Sequence, residues 1–371
     1  MKVWIRREIY ESIDIICSTG GGHNSCARYV EEELKENNIN SEFKNFYDIV
    51  NTSGNRMTEK IYLNSLKGNG KAFKNIYKLG ELYSKSGVTS PVYLVNKMHA
   101  RRLYNYIKNG SFDLVVTTHL FPALTLTAIR KHYDKNIKFI SISTDYEPCP
   151  FIEETMPNYL IMQKGQEERY IEKGCNKDIL YGSGIPVSSR FVFKAKNIRN
   201  ELGIDPDEKT ILVMLGSMGF GKIYEIIDDV LNQNKCKVIV VCGSNKKLYN
   251  ELVSMNRENL IVFGFVNNVN DLIYSSDIIM SKPGGLSSTE ITCMRKPLIH
   301  IYPIPGIETY NTNFFENHGM SLKCNNKDEI LDTVHELLNN KHMQEKMIKY
   351  QEKYINNRSA YDLVKLIIEM K

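Results

Sequence analysis

The chain has 371 residues, 42% apolar and 25% charged, with a formal net charge of +5. That length exceeds what one hydrophobic core covers, so two domains of an ordinary globular protein are expected. No run reaches the roughly 18 apolar residues of a spanning helix, the start MKVWIRREIYES lacks the apolar segment of a signal peptide, and the eight cysteines form no CxxC pair, which points away from membrane spans, secreted disulfide scaffolds and thiol zinc sites and toward a cytoplasmic protein with reduced thiols.

SIDIICST opens a series of alternating strand-like and helix-like segments and runs into the turn TGGGHNS, which enters the helical pattern CARYVEEELKENN. Gly21 and Gly22 permit close backbone approach, and His23 falls in the first helical turn, where the dipole disfavours a proton on the imidazole. A neutral histidine there suits a general base or a group that positions an acceptor, and equally a simple capping residue. After SEFKNFYDIV, eleven basic residues stand between Arg56 and Lys108 against only Glu59 and Glu81. Tyrosines and leucines recur with the lysines in IYLNSLKGNGKAFKNIYKLGELYSK at helical spacing, giving a basic amphipathic surface that suits anionic lipid headgroups at least as well as nucleic acid. No nucleic-acid partner is expected.

DLVVTTHL, followed by PALTLTAIRKHY, puts His119 at a strand end, where it either lines an acceptor site or caps the next helix. KFISIST leads to Asp145, which orients His23, acts as the base itself, or makes an Asx turn. Glu153 and Glu154 beyond it read as solvated loop charges. Apolar runs separated by amphipathic helices, ending here with NYLIM, predict parallel strands covered on both faces.

A linker from Gly182 to about Asp207 separates residues 1–190 from a second domain at 208–341, and a charged helical tail at 342–371 is expected to pack back on the first domain. The second series runs TILVMLGS, IYEIIDDVLNQ, KVIVVCGS, NKKLYNELVSM, NLIVFGFV, NDLIYSS, DIIMSKPGG, STEITCMRK and PLIHIYP, and two doubly wound sheets in succession place a ligand near the carboxyl ends of their strands. GSMGFGKI, residues 216–223, has the spacing of a P-loop, but Ile223 stands where Ser or Thr must ligate magnesium. A nucleoside triphosphatase is therefore not expected, while Gly216 and Ser217 keep a ligand role or serve only as a tight turn. DIIMS leads into KPGGLSSTE, where the amides of Gly284, Gly285, Leu286, Ser287 and Ser288 converge with the positive end of a helix on a phosphate. PLIHIY then delivers a Pro-Gly turn at Gly306 carrying Glu308 and Asn311, groups suited to sugar hydroxyls. The one DxD pair, Asp205 and Asp207, lies in the linker, and no histidine pair has zinc-ligand spacing, so metal-independent chemistry without a cofactor is expected.

The chain resembles the glycosyltransferase family that includes monogalactosyldiacylglycerol synthases, processive diacylglycerol glucosyltransferases and, more remotely, the peptidoglycan N-acetylglucosaminyltransferase. GGGH at 20–23, THLFPA at 118–123, TDY at 144–146, GIPV at 184–187, CGSN at 242–245, GFV at 264–266, KPGGLSSTE at 282–290 and PIPGIETYN at 303–311 carry the resemblance. It implies an α/β protein of the GT-B fold, two Rossmann-like doubly wound parallel-sheet domains facing a central cleft, with the acceptor on the first domain and the UDP-sugar on the second. By resemblance, Gly243 belongs to the nucleotide-sugar site, the backbone near Phe265 and Val266 holds uracil, and Glu290 takes the ribose hydroxyls. Gly285, Leu286 and Ser287 face the diphosphate, and Glu308 and Asn311 bind the sugar with Ser217 nearby. Three departures stand out: Ile307 replaces a frequent glutamine, Cys149 replaces a common histidine, and the first eleven residues precede the usual strand start. The expected activity is inverting transfer of a hexose from a UDP-hexose to a lipid hydroxyl, diacylglycerol first among acceptors. His23 and Asp145 would handle the acceptor proton, and the protein would associate peripherally with anionic lipid at the inner face of the cell membrane. A nucleotide-sugar epimerase and a catalytically idle UDP-sugar-binding protein remain open alternatives.

Overall fold

The computed structural model describes residues 12–17, 21–50, 80, 83–84, 88–215 and 223–370. The expectations for Gly216 and Ser217, for the first eleven residues and for the lysine-rich run before residue 80 lie outside them. The chain divides into two compact units, one reaching Ser188 and completed by Pro305–Ile307 and Arg358–Lys371, the other made of Ser189–Ile304 and Glu308–Asn357.

The first unit is built on β1 (Ile13–Cys17), β2 (Ser41–Asn45), β3 (Leu114–Thr117), β4 (Phe139–Ile142), β5 (Tyr159–Ile161) and β6 (Leu180–Tyr181). They form one parallel sheet in the order β2-β1-β3-β4-β5-β6. IDIIC, LVVT and FISI are buried at every residue because helices cover both faces, which is why these strands read as unbroken apolar runs. Those helices are α1 (Gly21–Glu36), α2 (Phe46–Val50), α3 (Pro91–Lys97), α4 (Ala100–Asn109), α5 (Leu120–His132) and α6 (Glu167–Glu172). Strand β1 lies between β2 and β3, so the winding reverses beside it, and the GGH and TTH turns leave the sheet at that switch point. Ile16 pairs with Thr117 and Thr117 with Ser141, which sets the carboxyl ends of β1, β3 and β4 level.

Two polar groups inside this unit do work that their sequence did not announce. Glu154 is no solvated loop charge: its carboxylate accepts the Ser90 N–H at 2.7 Å and the Ser90 hydroxyl at 2.8 Å, while Ser90 Oγ caps α3 by accepting from Tyr93. Asp14 stands in the middle of β1, opposite Glu42 and Val115, and is fully buried.

The second unit has β7 (Thr210–Met214), β8 (Lys237–Val241), β9 (Leu260–Phe263), β10 (Ile278–Ser281), β11 (Leu298–Ile301) and β12 (Leu322–Cys324), parallel throughout in the order β12-β11-β10-β7-β8-β9. Its helices are α7 (Ile223–Gln233), α8 (Lys246–Val253), α9 (Val269–Ser275), α10 (Gly285–Cys293), α11 (Ile307–Asn317), α12 (Lys327–Asn339) and α13 (Lys341–Tyr354). Here the winding reverses between β7 and β10, and the KPGG turn emerges from β10 at that point.

The C-terminal stretch divides. Helix α13 stays with the second unit, where Gln351 donates to the carbonyls of Lys296 and Met320 at 2.9 and 3.0 Å. Helix α14 (Ser359–Glu369) returns to the first unit, packs on α1, and is tied by Ser359 Oγ donating to the Ile185 carbonyl at 2.7 Å. Among the described residues no helix is long and apolar enough to cross a membrane, and the eight cysteines are free thiols.

Candidate functional site

In the first unit, the carboxyl ends of β1, β3 and β4 bring together His23, Thr118, His119, Thr144 and Asp145. Gly21 and Gly22 are exposed at the start of α1, and a Cβ built on Gly21 would meet nothing within 4 Å, so the backbone lies open beside His23. His23 Nδ1 is 2.7 Å from the Thr118 carbonyl and 3.0 Å from Thr144 Oγ1. A carbonyl oxygen has no proton to give, so Nδ1 must donate, and the lone pair of the neutral ring therefore sits on Nε2. Burial holds the imidazole below its ordinary pKa, against the opposing pull of the Asp145 charge and of the Thr118 carbonyl. His23 is thus a neutral acceptor of protons at its outer nitrogen.

The other residues expected at this end divide by role. His119 caps α5, its Nδ1 accepting the Phe121 N–H at 3.2 Å, and its ring meets that of His23 edge-on at 4.8 Å. Burial and the neighbouring His23 push its pKa well down, so it is a neutral packing partner of His23. Asp145 acts on His23 through space, and the ring's hydrogen-bond partners are the two threonines. The loop carrying Asp145 is braced by Tyr170, whose hydroxyl donates to Ser143 Oγ at 2.7 Å. Cys149 packs half-buried against the cluster of Ile152, Leu160, Met162, Tyr170 and Cys175, and burial pushes its thiol up to about 12, which removes it from proton chemistry.

In the second unit, Gly284 is the N-cap of α10 and offers no side-chain cap. The first N–H groups of a helix have no partner within it, so those of Gly285, Leu286 and Ser287 suit an anion. A Cβ on Gly284 would meet nothing within 4 Å, leaving the approach open. Ser288 behaves differently from its neighbours. Its N–H donates to Gly284, and its hydroxyl turns inward to His300 Nε2 at 2.9 Å, with Ser321 Oγ on Nδ1 at 3.1 Å. His300 is fully buried and its pKa is pushed down to about 3 by that burial, so this triad anchors α10 on β11 and holds the Ser288 hydroxyl inside the protein.

The turn after β11 is tied to the turn after β10. Glu308 Oε2 accepts the Ile304 N–H at 2.6 Å, closing the turn that holds Gly306 at φ 116°, where a side chain would be strained. Its Oε1 lies 3.5 Å from Lys282 Nζ, and burial lowers the lysine's pKa while Glu308 opposes the shift. Asn311 was expected to grip the sugar, but its side chain is fully buried and Nδ2 donates to the Pro283 carbonyl at 3.1 Å, so it shapes the KPGG turn. Losing the Lys282 partner leaves a carboxylate in a largely desolvated place. Lys282→Met should therefore destabilise the second unit by about 2 kcal/mol, measured as a lower denaturation midpoint; an unchanged midpoint would show the pair to be idle.

The third element of this half is a stapled pair of loops. Gly243, at φ 57°, donates its N–H to Gly264 at 3.2 Å, and Cys242 donates to Phe263 at 2.8 Å. Beyond them Phe265 is 76% exposed and Val266 half-buried, so an aromatic ring stands free beside backbone groups, a surface on which a planar base can lie. Glu290 is buried on α10, 7% exposed. Sequence reasoning missed Lys282, Thr118, Thr144 and His300. The threonines had a signal, since TT and ST close two neighbouring buried strands, whereas the partnerships of Lys282 and His300 had none. Among the described residues no group of three or more His, Cys, Asp or Glu is arranged to hold a metal ion.

Comparison with known proteins matches both halves. Residues 23–187 match the monogalactosyldiacylglycerol (MGDG) synthase family and residues 210–367 the glycosyltransferase family 28 C-terminal domain. A processive diacylglycerol beta-glucosyltransferase of Bacillus pumilus is 27% identical over 363 residues, covering 94% of this chain and 92% of the relative. A protein of the same name from Bacillus subtilis is 28% identical over 331 residues, 86% and 84% of the two chains. The crystal structure of Acinetobacter baumannii MurG superposes with a TM-score of 0.62 at 15% identity, covering 97% of this chain and 100% of that one, which shows the shared fold. With two six-stranded parallel sheets wound as described, the chain is a GT-B glycosyltransferase whose first half is of the monogalactosyldiacylglycerol-synthase type and whose second half is of the family 28 type.

Proposed function

We propose that the protein transfers glucose from UDP-glucose to the hydroxyl of diacylglycerol, with inversion at the anomeric carbon. The observation that carries this reading is the placement of His23, whose Nδ1 lies 2.7 Å from the Thr118 carbonyl, so that in the neutral ring the lone pair falls on Nε2. In the transfer the acceptor hydroxyl gives its proton to Nε2 as its oxygen bonds the anomeric carbon. The bond from that carbon to the diphosphate oxygen breaks, and UDP departs with the electron pair. One displacement inverts the configuration. The Asp145 charge favours the imidazolium that forms. N–H groups at the start of α10 meet the charge growing on the diphosphate, work that needs no metal ion. Glu290 and the Phe265–Val266 loop serve the nucleoside, and Glu308 the hexose, held in place by Lys282. Glucose ranks before galactose because the relatives named above are glucosyltransferases.

The acceptor lies in a membrane, and α3 carries a surface for reaching it. Leu94 and Val95 on α3 and Met98 at its C-cap are exposed, Met98 at 81%, with Lys97 at the end of α3 and Arg101 at the start of α4 exposed as well. Apolar side chains flanked by cations suit insertion among anionic headgroups.

The test is incubation with diacylglycerol in anionic liposomes and, separately, UDP-glucose, UDP-galactose and UDP-N-acetylglucosamine, with lipid products read by mass and a chelator in a parallel arm. Glucosyl-diacylglycerol is expected, with or without chelator. No glycolipid from any donor, with UDP binding intact, would end the lipid-transferase reading. Each apolar side chain buried in lipid contributes about 1.5–3 kcal/mol. Leu94→Glu with Met98→Glu should therefore weaken liposome binding by tenfold or more, and salt should weaken that of the wild type. Unchanged binding would remove α3 from the membrane surface.

A further inference from the structure

We propose that Thr144 is a positioning residue for His23: its hydroxyl oxygen is the second acceptor for the Nδ1–H, and with the Thr118 carbonyl it replaces the carboxylate that orients the histidine in a His–Asp dyad. This rests on the reading of His23 as the base. Three observations carry it. First, both oxygens lie on the same ring nitrogen, at 2.7 and 3.0 Å, and since the carbonyl already requires Nδ1 to be protonated, Thr144 Oγ1 faces that proton as an acceptor. Second, the two threonines are rigidly placed. They follow the carboxyl ends of β3 and β4, neighbours in the sheet, and are only 1% and 6% exposed. Thr118 Oγ1 lies 3.0 Å from the His23 carbonyl, and Tyr170 pins Ser143 from the other side. Third, the other titratable groups facing the ring reach it in a different way: Asp145 acts through its charge and His119 through edge-on packing at 4.8 Å, while the two threonine oxygens lie on Nδ1.

The arrangement has a chemical consequence. When Nε2 takes the acceptor's proton the ring becomes a cation that still holds its Nδ1 proton, and two oxygen dipoles then stabilise it at the moment it forms. A carboxylate in the same place would raise the ring's pKa further than neutral oxygens do. Neutral oxygens orient the base while leaving it unprotonated.

The test pairs Thr144→Val, which keeps the shape and removes the oxygen, with Thr144→Ser, which keeps the oxygen. Loss of one hydrogen bond to a charged group predicts that Thr144→Val lowers kcat about tenfold, moves the acid limb of the pH–rate profile to lower pH, and leaves the KM for UDP-glucose unchanged. Thr144→Ser should restore both kcat and the limb. Ring-nitrogen NMR of the wild type should report a proton on Nδ1 and none on Nε2 at neutral pH. A wild type protonated on Nε2, a pH profile unmoved in Thr144→Val, or a serine variant as poor as the valine variant would each overturn the proposal. His23→Ala separates the two layers: full turnover in that variant defeats the reading of His23 as base, whereas lost turnover there beside a normal Thr144→Val enzyme defeats only the role of Thr144.

Discussion

His23→Ala loses turnover by roughly 10²- to 10⁴-fold, the usual contribution of a positioned general base, and binds UDP as the wild type does. Glu290→Ala shows the opposite: UDP affinity falls by tenfold or more, the size expected for losing a hydrogen bond to a charged group. His23 is held by α1 and the ends of β3 and β4 in one unit, and Glu290 by α10 in the other, each with its own sheet and core. Removing the imidazole leaves the second unit's turns, with their Lys282–Glu308 and Asn311–Pro283 ties, undisturbed. Calorimetry with UDP and single-turnover assays with UDP-glucose and diacylglycerol supply the two readouts. Equal loss of UDP affinity in both variants would mean that the division of labour is wrong, and normal turnover in His23→Ala would require another base.

A second large effect is expected far from the chemistry. Asp14 is fully buried, and burial, reinforced by Glu42 and opposed by Lys44 and the Ile15 N–H, pushes its pKa up to about 8. The folded value exceeds the unfolded value of about 3.9, so between those limits the native state holds a proton that the unfolded chain releases. Stability from this group is therefore full below about pH 4 and declines as pH rises toward about 8, with a limiting slope near 1.4 kcal/mol per pH unit. Asparagine cannot ionise. Asp14→Asn should be near wild-type stability at pH 5 and more stable by about 2–4 kcal/mol at pH 8.5, read by urea denaturation at the two pH values. An advantage that is the same at both would rule out ionisation of Asp14 as the cause. Tyr106, whose hydroxyl is buried without a partner and whose pKa is raised by burial and by Asp14, should titrate at still higher pH.

The fold was legible because its signals are local. An apolar run buried on both faces, a glycine turn and an amphipathic helix can each be read within a few residues, and they recur in both units. The same locality made Gly21–Gly22 and the KPGG turn visible, since a glycine turn after a buried strand states its own geometry. What escaped were partnerships across the chain. Thr144 meets His23 from 121 residues away, and Glu154 reaches Ser90 across 64. Asn311 looked like a sugar ligand because a polar residue after a Pro-Gly turn is usually exposed, yet its side chain is fully buried and donates to Pro283, 28 residues earlier. Ser288 misled for a related reason. A helix start rich in serine suggests anion contacts, but helical rotation turns the fourth residue toward β11, where His300 claims its hydroxyl. Ile307 and the identity of the hexose belong with these, since discrimination between epimers depends on which hydroxyl each turn faces.

The return of α14 to α1 makes the first unit discontinuous in the chain, although its sheet is complete by Tyr181. Synthesis proceeds from the amino end, so the nascent first unit must wait for the whole second unit to be translated before its last helix arrives. During that interval the buried stripe of α1 that α14 will cover is open to water or to a chaperone. The last segment translated thus completes the unit that began to form first, which sets the order in which the two halves mature.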